Sequence, residues 1–205
     1  MIKLFVFDLG NVILPFEHRQ IVVKLLKKAG GKVAPSPHEA FSYMFDMKEG
    51  LVNQYEEGLM SSVEFFTIIK DRYGLHMDLE EFKNIWNPIF WGDPDVNEAI
   101  HYLKGKGYPL FLLSNTNELH FAHIIENYPI VHVLDEWILS FEIGAKKPSK
   151  RIFDVIFEKV DVDPGEVFYM DDIAEYVDAA KSYGLQGMVF KDAKGLWEKL
   201  KEMKV

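Results

Sequence analysis

Five short runs of Val, Ile, Leu, Met and aromatic residues constrain this chain more than any other feature. They are Ile2 to Asp8, Pro109 to Ser114, Glu136 to Ser140, Val167 to Asp171 and Gly187 to Phe190. Apolar residues in them follow one another with little polar alternation, the pattern of strands covered on both faces as in a parallel sheet. Helical patterns follow most of the runs: Glu118 to Asn127, Ser149 to Val160, Ile173 to Tyr183 and Ala193 to Met203. Gly105-Lys106-Gly107 closes a further helix ahead of the second run, and it lacks the rest of any phosphate loop. Strand alternating with helix predicts an α/β fold, a doubly wound parallel five-stranded (Rossmann-like) sheet.

Between the first two runs the pattern changes. From Phe16 to Trp91 there are helical periods and no convincing strand: Glu17 to Lys28, His38 to Lys48, Ser61 to Tyr73 and Leu79 to Trp86. Ser61-Ser62-Val63-Glu64 reads as a capping box that opens the third of these. Open α/β sheets bind ligands outside the carboxyl ends of their strands, and an insertion after the first strand leaves from that edge. The expected division is therefore an α/β core of residues 1–15 and 92–205, with residues 16–91 as a helical cap over the site.

Composition removes several function classes. With 48% apolar and 14% aromatic residues in a chain of 205, disorder is not expected. A net charge of −9 opposes nucleic-acid binding, which needs a dense positive field to displace phosphate counterions. The nearest basic group, Lys24, Lys27, Lys28 and Lys32, reads as a solvated helix face. There is no cysteine, so disulfides, thiolate zinc sites and a cysteine nucleophile are excluded. The opening apolar stretch stops at Asp8, too short for a signal peptide, and no run approaches the roughly 20 residues of a membrane helix. The expectation is a cytoplasmic protein with neither membrane nor nucleic-acid partners.

Four polar features stand at the carboxyl ends of four predicted strands. Each has an ordinary structural explanation. Asp8, followed by Leu9-Gly10-Asn11, has the composition of a turn. Ser114-Asn115-Thr116-Asn117 suits a helix cap. Lys147-Pro148 suits a helix start, and Asp171-Asp172 an N-cap with a helix-dipole partner. Together, however, they place carboxylates, a hydroxyl, an amide and an ammonium around one crevice, and coincidence becomes the weaker account.

The ordered set Phe7-Asp8-Leu9-Gly10-Asn11-Val12, Leu113-Ser114-Asn115, Lys147-Pro148 and Tyr169-Met170-Asp171-Asp172 resembles the haloacid dehalogenase superfamily. The helical insertion sits where members with a small helical cap carry one. Ser-Asn-Thr-Asn, Lys-Lys-Pro and, in the insertion, Tyr55-Glu56-Glu57-Gly58 are similar to the branch that includes bacterial sugar-1-phosphate phosphatases. The resemblance implies a Mg²⁺-dependent hydrolase of a small phosphorylated substrate such as a sugar phosphate, working through an aspartyl-phosphate on Asp8. It implies Mg²⁺ ligation by Asp8, the Gly10 carbonyl and Asp172, a phosphate site of Ser114, Asn115 and Lys147, and Asp171 orienting Lys147 or a metal-shell water. Such an arrangement neutralises charge before attack and splits one hard step into two.

Two departures stand out. Phosphatases of the superfamily usually carry an acid–base aspartate two residues after the nucleophile, where this chain has Gly10. Such a group is typically worth roughly 10²–10⁴-fold in rate. The readings left open are a substrate with a good leaving group, a substitute such as Glu17 or His18 (with Tyr55 and Glu56 as cap candidates), or a chain that is slow or not a phosphatase. The alternatives are thus a dehalogenase attacking carbon or a catalytically weakened binding member. The second departure is Tyr176, beside Glu175, where relatives often carry another polar residue near the metal. His120 and His123 are expected on a solvent-facing helix, Phe41, Tyr43, Met44, Phe45 and Met47 in the cap core, and Trp86, Phe90 and Trp91 in hinge packing.

Overall fold

A computed structural model describes residues 1–30 and 36–205; Lys32 of the basic group lies outside the described residues. In chain order the elements are β1 (Leu4–Phe7), α1 (Arg19–Leu26), α2 (Pro37–Phe45), α3 (Leu51–Glu56), α4 (Ser62–Tyr73), α5 (Leu79–Trp86), α6 (Pro94–Gly105) and β2 (Leu110–Ser114). They continue with α7 (Glu118–Asn127), β3 (Glu136–Leu139), α8 (Ser140–Ile143), α9 (Lys150–Lys159), β4 (Val167–Asp171), α10 (Ala174–Ser182), β5 (Gln186–Val189) and α11 (Ala193–Glu202). The strands form one sheet in the order β3-β2-β1-β4-β5, and every neighbouring pair is parallel. This is the doubly wound five-stranded fold that the apolar runs predict. The chain moves outward from β1 to β3, then returns to the other side of β1, so the strand order switches between β1 and β4. That is where a parallel sheet opens a crevice at its carboxyl edge.

Successive side chains of a strand point to opposite faces, and β1 fills both layers. Phe5 and Phe7 pack with Val96 and Ile100 of α6, Phe121 of α7 and Leu196 of α11. Leu4 and Val6 pack with Ile152 and Ile156 of α9 and Val177 of α10. The first five helices build a separate core around Tyr55, Phe65, Phe82 and Trp86. Ser61 and Glu64 form the predicted capping box at α4, and Ser36 with Glu39 and Asp78 with Glu81 repeat it at α2 and α5. Each satisfies helix N–H groups that would otherwise lack partners.

Two connections join the helical body to the sheet, and they run side by side. Phe16 pairs antiparallel with Phe90, the Glu17 N–H donates to the Ile89 carbonyl at 3.1 Å, and the Trp91 N–H donates to the Pro15 carbonyl at 3.0 Å. A second attachment is made at the start of α7. Ser62 Oγ donates to the Glu118 carboxylate, Tyr55 Oη accepts the Leu119 N–H at 3.2 Å, and His120 Nε2 bonds the Trp86 carbonyl at 3.0 Å. Gly58 makes the third. Its φ is +69°, and a Cβ there would lie 2.2 Å from the Phe141 carbonyl oxygen. Only glycine allows the chain after α3 to approach α8 this closely.

No helix among the described residues is long and apolar enough to cross a membrane.

Candidate active site

Asp8 follows β1 directly and is buried at the strand-order switch. Its Oδ1 accepts a hydrogen bond from Lys147 Nζ at 2.7 Å. The same ammonium donates to Asp171 Oδ2 at 2.7 Å and to the Leu113 carbonyl at 3.1 Å, so all three of its protons are used. Asp171 Oδ2 also accepts from Tyr169 Oη, and Oδ1 from the Ile173 N–H at 2.8 Å. Asp171 is thereby tied down from three directions and fixes Lys147. Asn115 holds the lysine from the backbone side: its Oδ1 accepts the Lys147 N–H at 2.8 Å and its Nδ2 donates to the Lys147 carbonyl at 3.1 Å.

The cluster is short of positive charge. Carboxylate oxygens of Asp8, Asp171 and Asp172 lie within 4.8 Å of one another, with Lys147 as the ammonium between two of them. Burial raises the Asp8 pKa to about 7, helped by the repulsion of Asp171 and Asp172 and opposed by Lys147. Burial also raises Asp172, although a hydrogen bond from Asn11 Nδ2 to its Oδ2 at 3.0 Å works the other way. Lys147 is held above the usual lysine value: burial disfavours its charge, but Asp8 and Asp171 outweigh that. Three carboxylates facing one ammonium, with Asp8 and Asp172 resisting ionisation, form a donor set suited to a hard divalent cation.

Above the cluster is a cavity of about 310 Å³. Asp8, Gly10, Ser114, Asn115, Thr116 and Asp172 line its floor, at the strand ends. Phe16, His18, Phe45, Val52, Ile89 and Phe90 form an apolar and aromatic wall. Asn53 and Glu56 from α3, with Lys146, form a polar one.

A model of the haloacid dehalogenase-like hydrolases matches residues 2–184. The chain belongs to this family. The hydrolase is 29% identical over 194 residues to a D-ribitol-5-phosphate phosphatase of Bacteroides thetaiotaomicron, covering 91% of this chain and 90% of that one. It is 27% identical over 124 residues to a phosphorylated carbohydrates phosphatase of Thermotoga maritima, covering 58% of this chain and 57% of that one. Among solved structures, a family enzyme of Bacteroides thetaiotaomicron in complex with magnesium and inorganic phosphate superposes with a TM-score of 0.80. That pair is 25% identical, over 93% of this chain and 95% of the other.

In the hydrolase, Asp8, Gly10, Ser114, Asn115, Lys147, Asp171 and Asp172 come together as their places at strand ends predict. His18 and Glu56 line the cavity. Glu17 does not. It is exposed, and its carboxylate accepts the Arg19 N–H at 2.7 Å at the start of α1. Tyr55 does not either: its ring stacks on Phe65 inside the helical core and its hydroxyl bonds Ser62 at 2.7 Å. Acid–base duty for Glu17 or Tyr55 is therefore withdrawn. Asn115 also lines the cavity, with its side chain bonded to both backbone groups of Lys147.

His120 corrects another expectation. It is buried, faces the cavity rather than solvent, and stacks on Trp86 at 5.1 Å. The Trp86 carbonyl requires a proton on Nε2, while Asn117 Nδ2 at 3.1 Å donates to Nδ1. This is the neutral tautomer, and burial lowers its pKa to about 3. Phe45, Met47 and Phe90, expected in core or hinge packing, line the cavity. Asn11, which stands in the first motif without an assigned role, also joins the cluster. It holds φ +54°, uncommon for a residue with a side chain, and from there reaches Asp172.

Gly10 has a neighbour that explains its size. A Cβ at this position would lie 2.8 Å from Phe16 Cε1, so the Phe16 ring occupies the space beside Asp8 into which a larger residue would extend.

Proposed function

We propose that this hydrolase is a Mg²⁺-dependent phosphomonoesterase acting on a small phosphorylated metabolite of the sugar-phosphate type, with Asp8 as nucleophile. The observation that carries the reading is the charge imbalance at the strand-order switch: three clustered carboxylates, one fully bonded ammonium, and a covered cavity above them. The relatives active on ribitol 5-phosphate and on phosphorylated carbohydrates support the substrate class, and the magnesium and phosphate bound to the similar structure support the metal. We further take residues 16–91 as a cap that encloses the leaving group.

Asp8, the Gly10 carbonyl and Asp172 would hold Mg²⁺, which when bound supplies the charge neutralisation that lets a carboxylate approach a phosphoryl group. Lys147 fixes Asp8 through Oδ1 and leaves Oδ2 with no protein donor among the described residues. Asp8 Oδ2 forms the bond to phosphorus as the ester P–O bond breaks, the leaving oxygen takes its proton from a water in the cavity because Gly10 offers none, and a second water then cleaves the aspartyl-phosphate to release inorganic phosphate. Ser114 and the Asn115 N–H receive the phosphoryl oxygens at the end of β2, the Thr116 N–H being bonded to Ser140 Oγ at 3.0 Å. Asn11 keeps Asp172 turned towards the site, and the cap excludes bulk water.

With the Phe16 ring beside Gly10, this chain resembles the dehalogenase alternative in one respect, an aromatic group near the nucleophile. A metal requirement separates the two readings. Hydrolysis of a panel of sugar and alditol phosphates is expected with Mg²⁺ and is expected to vanish in EDTA. Full activity without divalent metal would contradict the phosphatase mechanism.

A further inference from the structure

The catalytic floor does not use Lys146, although it is the immediate neighbour of Lys147. Its ammonium crosses to the helical body, where it bonds Asn53 Oδ1 and Glu56 Oε2, the latter at 3.3 Å. Its side chain is 15% exposed and that of Glu56 21%, and all three residues line the cavity. Asn53 presents its oxygen in a fixed direction, because its Nδ2 donates to the Asp46 carbonyl at 2.8 Å and the Gly50 carbonyl at 3.1 Å. Lys146 has three protons and spends two here, and Glu56 keeps Oε1 without a donor among the described residues. A half-desolvated ion pair with spare donors and acceptors, inside a cavity, is more than a clasp between two bodies.

We infer that Asn53, Glu56 and Lys146 bind the leaving group and select a neutral polyhydroxylated one, the sugar or alditol part of a phosphate monoester. The assignment rests on the phosphatase reading and deepens it. Vicinal hydroxyls donate to Glu56 Oε1 and accept from Lys146, which satisfies both groups when water is displaced. The C–H face of such a group packs on Phe16, Phe45 and Phe90, which line the same cavity. A leaving group with its own anionic charge can bond Lys146 but cannot donate to Glu56 Oε1, which a hydroxyl does. An aryl group fits the aromatic wall but leaves the ion pair desolvated without partners, a selective disadvantage of the kind that sites built for hydroxyls impose.

The test compares ribitol 5-phosphate and ribose 5-phosphate with p-nitrophenyl phosphate, all with Mg²⁺, in the full-length protein and its Glu56→Gln, Glu56→Ala and Lys146→Met variants. The readout is the ratio of kcat/KM for each polyol ester to that for the aryl ester. It is expected to fall at least about tenfold in Glu56→Ala and Lys146→Met, mainly through KM, and less in Glu56→Gln, which keeps an acceptor. A ratio that stays within about twofold of wild type, whether both activities drop together or neither does, overturns the assignment and leaves the pair a structural clasp. The Ki of inorganic phosphate, which has no leaving group, is read in parallel; a change in Ki as large as the change in KM likewise overturns it. Wild-type protein that hydrolyses none of the three esters overturns the phosphatase reading itself, a different result from an unchanged ratio.

Discussion

Lys146 and Lys147 are adjacent in sequence and belong to different halves of the site. Lys147 is sealed in the sheet edge with all three protons committed to Asp8, Asp171 and Leu113. Lys146 reaches the helical body, pairs loosely with Glu56, and retains hydrogen-bonding capacity towards the cavity. One lysine sets the charge and orientation of the Asp8 carboxylate; the other faces whatever the cavity holds. Burial distinguishes them, not residue type. An ammonium with every proton bonded is rigid and has nothing left for a ligand, whereas one with a spare proton can exchange partners.

The contrast can be broken most sharply at Lys147. Lys147→Met leaves Asp8 and Asp171 buried against each other without a cation, and removing one partner from a buried ionic network costs about 3–5 kcal/mol. Chemical denaturation should show that loss, with turnover falling as well. A loss below about 1 kcal/mol would mean that the sheet-edge cluster is no tighter than the Lys146–Glu56 pair.

The attachment of the helical body to the sheet is the next largest effect. Gly58→Ala must place a Cβ against the Phe141 carbonyl at a positive φ. We expect about 1–3 kcal/mol of destabilisation from the strain and the forced separation. An unchanged melting temperature would show that the approach of α3 to α8 is not required.

The smallest effect tests the seam at His120. Its folded pKa lies well below the ordinary value, so the unfolded chain takes up a proton that the folded one refuses as the pH drops. Stability from the neutral ring is therefore complete above about pH 6.5 and is lost progressively as the pH falls towards 3. Between pH 6.5 and 5.5 the loss is about 1 kcal/mol. A His120→Gln variant should lack that slope; an identical pH dependence in both proteins would mean that the imidazole titrates normally.

The two halves also differ in how far they could be read from sequence. Strand ends were legible because the apolar runs are bounded by polar residues, so Asp8, Ser114, Lys147 and Asp171-Asp172 converge once the runs are accepted as parallel strands. The helical body was legible as helices but not as surfaces. α3 has six residues, under two turns, and gives no period to detect. His120 became buried because α7 meets the helical body at its first three residues, which the local pattern of α7 does not encode. Glu17 and Tyr55 lie beside cavity residues in sequence yet point elsewhere, one into solvent and one into the helical core. Phe16 in the space beside Gly10 joins residues six apart across a turn.

Asp8 carries the central claim, and Asp8→Asn tests it with the smallest change of shape. Turnover of p-nitrophenyl phosphate with Mg²⁺ should be measured for both proteins, with matched far-UV circular dichroism to show that the fold is kept. The account predicts a loss of at least about 10³-fold, because asparagine cannot form the covalent phosphoryl intermediate. Equal turnover by the two folded proteins would contradict Asp8 as the nucleophile.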